Sequence, residues 1–219
     1  MLKNITAVIP VRKNSQRVIN KNLRLFNKKN LLIHKIEKLK QIKYIDRIII
    51  NTDSEEAIKI AEDLGVAFWR REDYYASSSC GNSEFWSHIA DTTDSEYIMF
   101  TNCTSPLVKI ETYNNIFKKF EEIKNIIDSL NTVTEEKNFL YLDNKAINFD
   151  PRKAPNSQDL PNIVKLNFAV NILSKKLMLT KKSVIGDNPY FFKLDQTEGF
   201  DIDTFYDFEF AEYLHKKLF

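Results

Sequence analysis

Four short apolar runs, each followed by a polar segment and then by apolar residues at helical spacing, constrain this chain most. They are Ile5-Thr6-Ala7-Val8-Ile9, Arg47-Ile48-Ile49-Ile50-Asn51, Val66-Ala67-Phe68-Trp69 and Tyr97-Ile98-Met99-Phe100. Such runs suit buried strands. After the first, Leu32, Ile33, Ile36, Leu39 and Ile42 recur with a helical period. After the second, Asp53 or Ser54 can cap a helix carrying Ala57, Ile58, Ile60 and Ala61, and Gly65 stops it. Further helices are predicted near Phe85 to Ile89 and Thr112 to Ile123. Strands and helices alternating at these lengths build parallel β-α-β units with right-handed crossovers. The expected fold class is therefore α/β, a Rossmann-like, mostly parallel sheet flanked by helices. Ligands of such sheets gather at the carboxyl ends of the strands. The polar segments after Ile9, Ile50, Trp69 and Phe100 lie there.

From about Leu130 the rhythm changes to short strand-like runs, Thr132 to Thr134, Phe139 to Leu142 and Ala146 to Phe149, with Asp143-Asn144 as a turn. Pro151 to Pro161 reads as a polar loop. Strands are predicted again over Phe168 to Leu173 and Tyr190 to Leu194, and an amphipathic helix over Thr204 to Leu218. The whole chain of 219 residues reads as one domain with a small insertion at roughly residues 130–165. With 43% hydrophobic and 28% charged residues it is globular, and a net charge of +2 gives no bulk field for nucleic acid. No apolar stretch approaches the roughly 20 residues of a membrane span. Two cysteines make no disulfide framework, so a cytoplasmic location with reduced thiols is expected.

The loop after the first run carries the strongest chemical signal. It reads Pro10-Val11-Arg12-Lys13-Asn14-Ser15-Gln16-Arg17-Val18-Ile19-Asn20-Lys21-Asn22, with four cations in ten residues. At a strand end, such cations and backbone N–H groups suit a polyphosphate; a solvated basic loop is the alternative. With only four glycines in the chain, a phosphate loop here must be made mostly without them. Asp201-Ile202-Asp203 places two carboxylates at i and i+2, on one face if the segment is extended. They could ligate a divalent cation, or Asp203 could simply cap the last helix. His34, His88 and His215 have no metal-ligand spacing and read as packing or surface residues. Cys103 has no triad partner and reads as structural. Phe200, Phe205, Tyr206, Phe208 and Phe210 read as core and interface.

The basic loop resembles the signature loop of the CMP-sugar synthetase family, which includes the sialic acid and 3-deoxy-manno-octulosonate cytidylyltransferases. Arg12, Ser15, Lys21 and Asn22 fall on its key positions. Four further segments are similar in the same order along the chain: Asp46 to Asp53, Arg71 to Ala76, Thr104-Ser105-Pro106-Leu107 and Asp201-Ile202-Asp203-Thr204. The likeness spans nearly the whole chain. Gln16 and Arg17 stand where the family has lysine and often glycine, and Asn102-Cys103 where it has Gln-Pro.

The resemblance implies attack of an acceptor hydroxyl on the α-phosphorus of CTP, with pyrophosphate leaving and Mg2+ as cofactor. Arg12, Lys21 and Asp203 would be catalytic. Arg12, Ser15, Lys21, Asn22, Arg71, Cys80 and Asn82 would contact the nucleotide. Asp201 and Asp203 would hold the metal. Asn102, Lys165 and Asn167 would meet an acidic, sialic-acid-like 2-keto-3-deoxy sugar acceptor, Lys165 standing near an arginine that binds the acceptor carboxylate in sialic acid relatives. A homodimer is implied, formed through the insertion. The same chemistry on another acceptor, or a nucleotide-binding module without catalysis, are the competing readings.

Overall fold

The structure, a computed structural model, describes residues 4–13, 15 and 17–219; Asn14 and Gln16 of the basic loop lie outside the described residues. The first strand, β1 (Ile5–Val11), is buried along almost its whole length. A small hairpin, β2 (Leu25–Phe26) and β3 (Lys29–Asn30), then leads into α1 (Leu31–Leu39). Asn30 starts that helix by accepting the N–H of Ile33 at 2.9 Å. The next unit is β4 (Arg47–Thr52), α2 (Glu55–Asp63) and β5 (Ala67–Arg70). Of the two cap candidates Ser54 is the cap, and Gly65, at φ +62°, stops the helix in a left-handed conformation that favours glycine. Asp53 instead accepts the backbone N–H of Lys13 at 2.8 Å, tying the second strand end to the basic loop.

Two helices, α3 (Asp73–Ala76) and α4 (Asn82–Thr92), precede β6 (Tyr97–Phe100), and α5 (Ile110–Ile123) follows it. The chain then runs through β7 (Ser129–Glu136), a hairpin of β8 (Tyr141–Leu142) and β9 (Lys145–Ala146), and the long β10 (Ile163–Ser174). It closes with α6 (Lys175–Lys181), β11 (Pro189–Lys193) and α7 (Phe205–Leu218). Seven strands form one sheet in the order β11-β7-β10-β6-β1-β4-β5. β1 pairs in parallel with both β4 and β6, β4 with β5 and β7 with β11. Only β10 runs against its neighbours. The expected α/β class, with a mostly parallel sheet flanked by helices, is the one observed.

Residues 137–162 leave the sheet between β7 and β10. They hold the small hairpin and two single 3-10 turns, Pro151–Lys153 and Ser157–Asp159. Phe139, Tyr141, Leu142 and Ile147 are exposed on this excursion, while Phe149 packs edge-on between Phe139 and Tyr141. Among the described residues no helix is long and apolar enough to cross a membrane.

The last helix closes the first layer of the core through a ring cluster. Phe26 meets Phe208 and His215 edge-on, and His34 stacks obliquely on His215 at 4.6 Å. His34 and His215 thus pack two helices together. Burial, helped by the neighbouring His34 and Lys38 and opposed by Glu212, lowers the His215 pKa to about 4. The unfolded chain therefore takes a proton on this histidine near pH 6.5 that the folded chain refuses until about pH 4. Stability from this site is complete above the unfolded value and drains away as pH falls through that window. About 2–3 kcal/mol should be lost there, and His215→Gln should flatten the fall. Urea unfolding of both proteins across the window measures it; equal slopes would refute the assignment.

Candidate active site

The parallel strands end together, and the expected site residues sit on those ends. Arg12 follows β1, Arg71 follows β5 and Asn102 follows β6. Two groups form along this edge, one around Arg71 and one around the Asp201–Asp203 segment.

Arg71 is buried and clamped. Its Nε donates to Asn51 Oδ1 at 2.6 Å and a terminal nitrogen to the Asn51 carbonyl at 2.5 Å. The guanidinium lies 4.4 Å from the centroid of the Phe85 ring, and the backbone N–H reaches the Thr52 carbonyl. Burial pulls its pKa down to about 10, with Asp53 opposing and Arg12 assisting. Cys80 is half-buried near it, its thiol pushed up by burial and by Glu84. Asn82 opens α4 and is exposed. Tyr75 and His88 stack at 3.9 Å on the flank of this group. Arg71 is therefore a fixed buried cation, close enough to Arg12 and Cys80 to feel their charge.

The second group is built on an alternation. Ile202 is fully buried, and its N–H donates to the Thr104 carbonyl at 2.9 Å. Lys21 donates its ammonium to the Ile202 carbonyl at 2.5 Å. Asp201 and Asp203 flank that anchor, and both line one cleft of about 380 Å³. Arg17 pairs with Asp203 at 2.9 Å. The Lys21 pKa is lowered by burial, an effect that Asp201 and Asp203 oppose. The Asp201 pKa is raised by burial, against a hydrogen bond from Thr104 and with Asp203 adding to the rise. Asp203 is not the helix cap. Thr204 caps α7 by accepting the Asp207 N–H, and Asp207 in turn accepts the N–H groups of Asp203 and Thr204.

Several buried polar atoms here have no protein partner: Asp201 Oδ1, Thr134 Oγ1 and Asn167 Nδ2 in the cleft lining, and Asn22 Oδ1 beside Lys21 in sequence. Such atoms are rare in folded interiors unless water or a ligand completes them. Asp201 and Asp203 are hard oxygen donors, one with an orphaned oxygen, and they fit a divalent cation that keeps water and phosphate ligands. Among the described residues no cluster of three or more His, Cys, Asp or Glu offers a closed metal cage. Lys165 is exposed on the cleft wall, and Asn167 accepts the Thr132 hydroxyl and the Ala169 N–H. Asn102 is half-buried, its N–H facing the Phe168 carbonyl at 3.4 Å. Ser15 is half-buried in the loop. Cys103 is buried, with its thiol pushed up to about 12, which rules out a ready nucleophile.

The pairing of Arg17 with Asp203 is not apparent from the sequence, where Arg17 is only a substituted position. Thr134 and Gly199 also escape sequence reading, because nothing in their local pattern marks them. A Cβ on Gly199 would lie 2.1 Å from Thr134 Cγ2 and 2.9 Å from Asn167 Nδ2.

The fold and this edge define a nucleotidyltransferase. The chain belongs to the cytidylyltransferase family, whose model matches residues 6–215. It is 27% identical over 235 residues to a post-translational flagellin modification protein B of Campylobacter coli, covering 99% of this chain and 97% of that one. It is 26% identical to a pseudaminic acid cytidylyltransferase of Campylobacter jejuni, covering 98% and 97%. A match of 26% to an N-acylneuraminate cytidylyltransferase of Escherichia coli covers 99% of this chain but only 53% of that protein, about half its length. A solved CMP:2-keto-3-deoxy-manno-octonic acid synthetase complexed with CTP superposes with a TM-score of 0.74 at 13% identity, covering 98% and 99%, which is a likeness of fold.

Gly199→Ala should force Thr134 and Asn167 apart and cost about 1–3 kcal/mol of stability. Denaturant unfolding tests this; an unchanged midpoint would mean the loop yields freely.

Proposed function

We propose that this cytidylyltransferase transfers CMP from CTP to a hydroxyl of a sialic-acid-like sugar acid. The observation that carries the reading is the meeting of Lys21 and Arg17 with Asp201 and Asp203 at the strand ends, beside a cleft whose lining keeps unpaired polar atoms. The relatives named for N-acylneuraminate and pseudaminic acid support an acidic sugar as the acceptor class.

In the reaction the acceptor oxygen bonds to the α-phosphorus, and the bond from that phosphorus to the bridging oxygen of the β-phosphate breaks. The acceptor hydroxyl passes its proton to solvent water, and pyrophosphate departs with the bond's electron pair. Arg12 and Lys21 bind the phosphates and hold positive charge where pyrophosphate separates. Ser15 donates to a phosphate oxygen. Asn22, Cys80 and Asn82 orient the nucleotide over the buried Arg71. Asp201 and Asp203 would hold magnesium, which would supply positive charge to neutralise the phosphate oxygens. Lys165 meets the acceptor carboxylate as a point charge, while Asn102 and Asn167 orient the sugar. Positioning and charge do the catalytic work, with no covalent enzyme intermediate.

A panel of sugar acids, with each of the four nucleoside triphosphates and magnesium, tests this by pyrophosphate release. Turnover is expected with CTP and a 2-keto-3-deoxy sugar acid. Asp203→Asn should lower kcat by roughly 100-fold or more. Lys165→Met should raise the acceptor KM by about 10- to 150-fold and leave the CTP KM nearly unchanged. Binding of CTP with no release across the panel would favour a binding module instead.

The exposed Phe139, Tyr141, Leu142 and Ile147 support a homodimer through the 137–162 excursion. Light scattering should give twice the chain mass, and Leu142→Asp should give monomer. A monomeric wild-type chain at micromolar concentration would dispose of this interface.

A further inference from the structure

Two lysines of α1 are turned inward, which is unusual for a residue that seldom leaves water. Lys35 is 4% exposed. Its ammonium lies 2.8 Å from the Tyr113 hydroxyl, 3.2 Å from Thr101 Oγ1 and 3.5 Å from the Ser105 carbonyl. Lys38, one turn later, donates to the Pro106 carbonyl at 2.8 Å and to the Val108 carbonyl at 2.6 Å. Both therefore grip the segment between β6 and α5 by its carbonyls. That segment also holds the carboxylate pair, since the Thr104 carbonyl accepts the Ile202 N–H and the Thr104 side chain lies close enough to Asp201 to oppose the rise in its pKa.

We propose that Lys38 is a positioning residue for Asp201 and Asp203, fixing through Pro106 and Val108 the turn on which Thr104 carries them. The inference rests on the metal reading of those carboxylates given above. Burying an ammonium costs several kcal/mol unless its hydrogen bonds compensate, so a lysine here is a poor choice for core stability alone. Two charge-assisted bonds to alternate carbonyls, Pro106 and Val108, give rigidity in return.

The surroundings also make the grip sensitive to pH. Lys38 faces Lys35, His34 and Glu37 on its own helix, Lys28 and Lys29 on the preceding hairpin, and His215 and the Phe219 ring from the C-terminal end. Glu198, itself paired with Lys109 at 3.2 Å, is the carboxylate whose charge favours the Lys38 ammonium. Burial first, and Lys35 second, bring the Lys38 pKa down to about 7. Above that value the ammonium becomes an amine and its hold on the two carbonyls weakens.

The test uses the full chain as wild type, Lys38→Met and Lys38→Arg. Magnesium binding in the presence of CTP is read by calorimetry, and protection of the Ile202 amide by hydrogen exchange. Lys38→Met should weaken magnesium binding by about 10- to 100-fold, the usual effect of losing a group that orients metal ligands. It should also lower Ile202 protection by about 10-fold while β1 amides keep theirs. The CTP KM at saturating magnesium should stay within about twofold, since the nucleotide contacts are untouched. Values within about twofold of wild type in both readouts would overturn the proposal. Should Lys38→Met fail to fold, Lys38→Arg decides. Between about pH 6 and pH 8, wild-type Ile202 protection should fall and that of the permanently charged variant should not. Identical behaviour would overturn it. A wild type that binds no magnesium would instead sink the metal reading, and the Ile202 amide would then decide the Lys38 contact alone.

Discussion

Ile202 is the fixed point of the site. An apolar side chain between two carboxylates must go inward, and the alternation of an extended segment then leaves Asp201 and Asp203 flanking it. With Ile202 in the core, its N–H on Thr104 and its carbonyl on Lys21, neither carboxylate can move far. Two such charges close together repel, and burial makes ionisation of Asp201 harder still. Lys21 and Arg17 relieve that repulsion from the basic loop, so the loop and the late carboxylates stabilise each other's placement. Residues nearly two hundred positions apart are thus one electrostatic unit.

The loop achieves this without the glycines that usually let a backbone curl around phosphate. Val18 is buried and anchors its middle, and Asp53 accepts the Lys13 N–H at its start. The turn that brings Lys21 round is made by Asn20 at φ +53°, a conformation asparagine tolerates better than most residues. Its carbonyl takes the N–H groups of Leu23 and Arg24. The opposite wall departs further from regular geometry. β10 shifts register against β7 between Leu166 and Asn171, and Phe168 sits at φ +53°. An aromatic residue in that region is strained, and such strain is commonly kept where a bulge re-aims side chains towards a ligand. Trp86 stacks near Phe168 at 6.4 Å and helps hold it.

The parallel half of the fold was legible because each buried strand is a continuous apolar run and each helix keeps its period. The direction of β10 was not, since Phe168 to Leu173 reads alike in either orientation. The cap of α2 was narrowed to two residues, and the cap of α7 turned on Thr204 and Asp207, whose spacing is a capping box that the Asp201–Asp203 pair overshadowed. In the site, motif order placed Lys21, Asp201 and Asp203 together, as observed. Arg17 looked like a substitution rather than a partner, because its contact is with a residue far along the chain. Gly199 and Thr134 are visible only once the segment after β11 packs against β7, since their meaning is the space one leaves for the other.

The two walls of the cleft differ in how a change would propagate. The carboxylate wall is tied through Ile202, Thr104 and Lys21 to the core and to the segments after β6 and β1, so altering it disturbs the basic loop at once. The wall from β10 is tied through Asn167 to Thr132 and Ala169 and, at Lys165, by pairing with Thr134 of β7, while the Lys165 residue itself is exposed. Shape on that side is set by one strained bulge and one glycine, both local. A fold built this way can keep the Ile202 anchor and its two carboxylates in place while the β10 side of the cleft is rebuilt residue by residue.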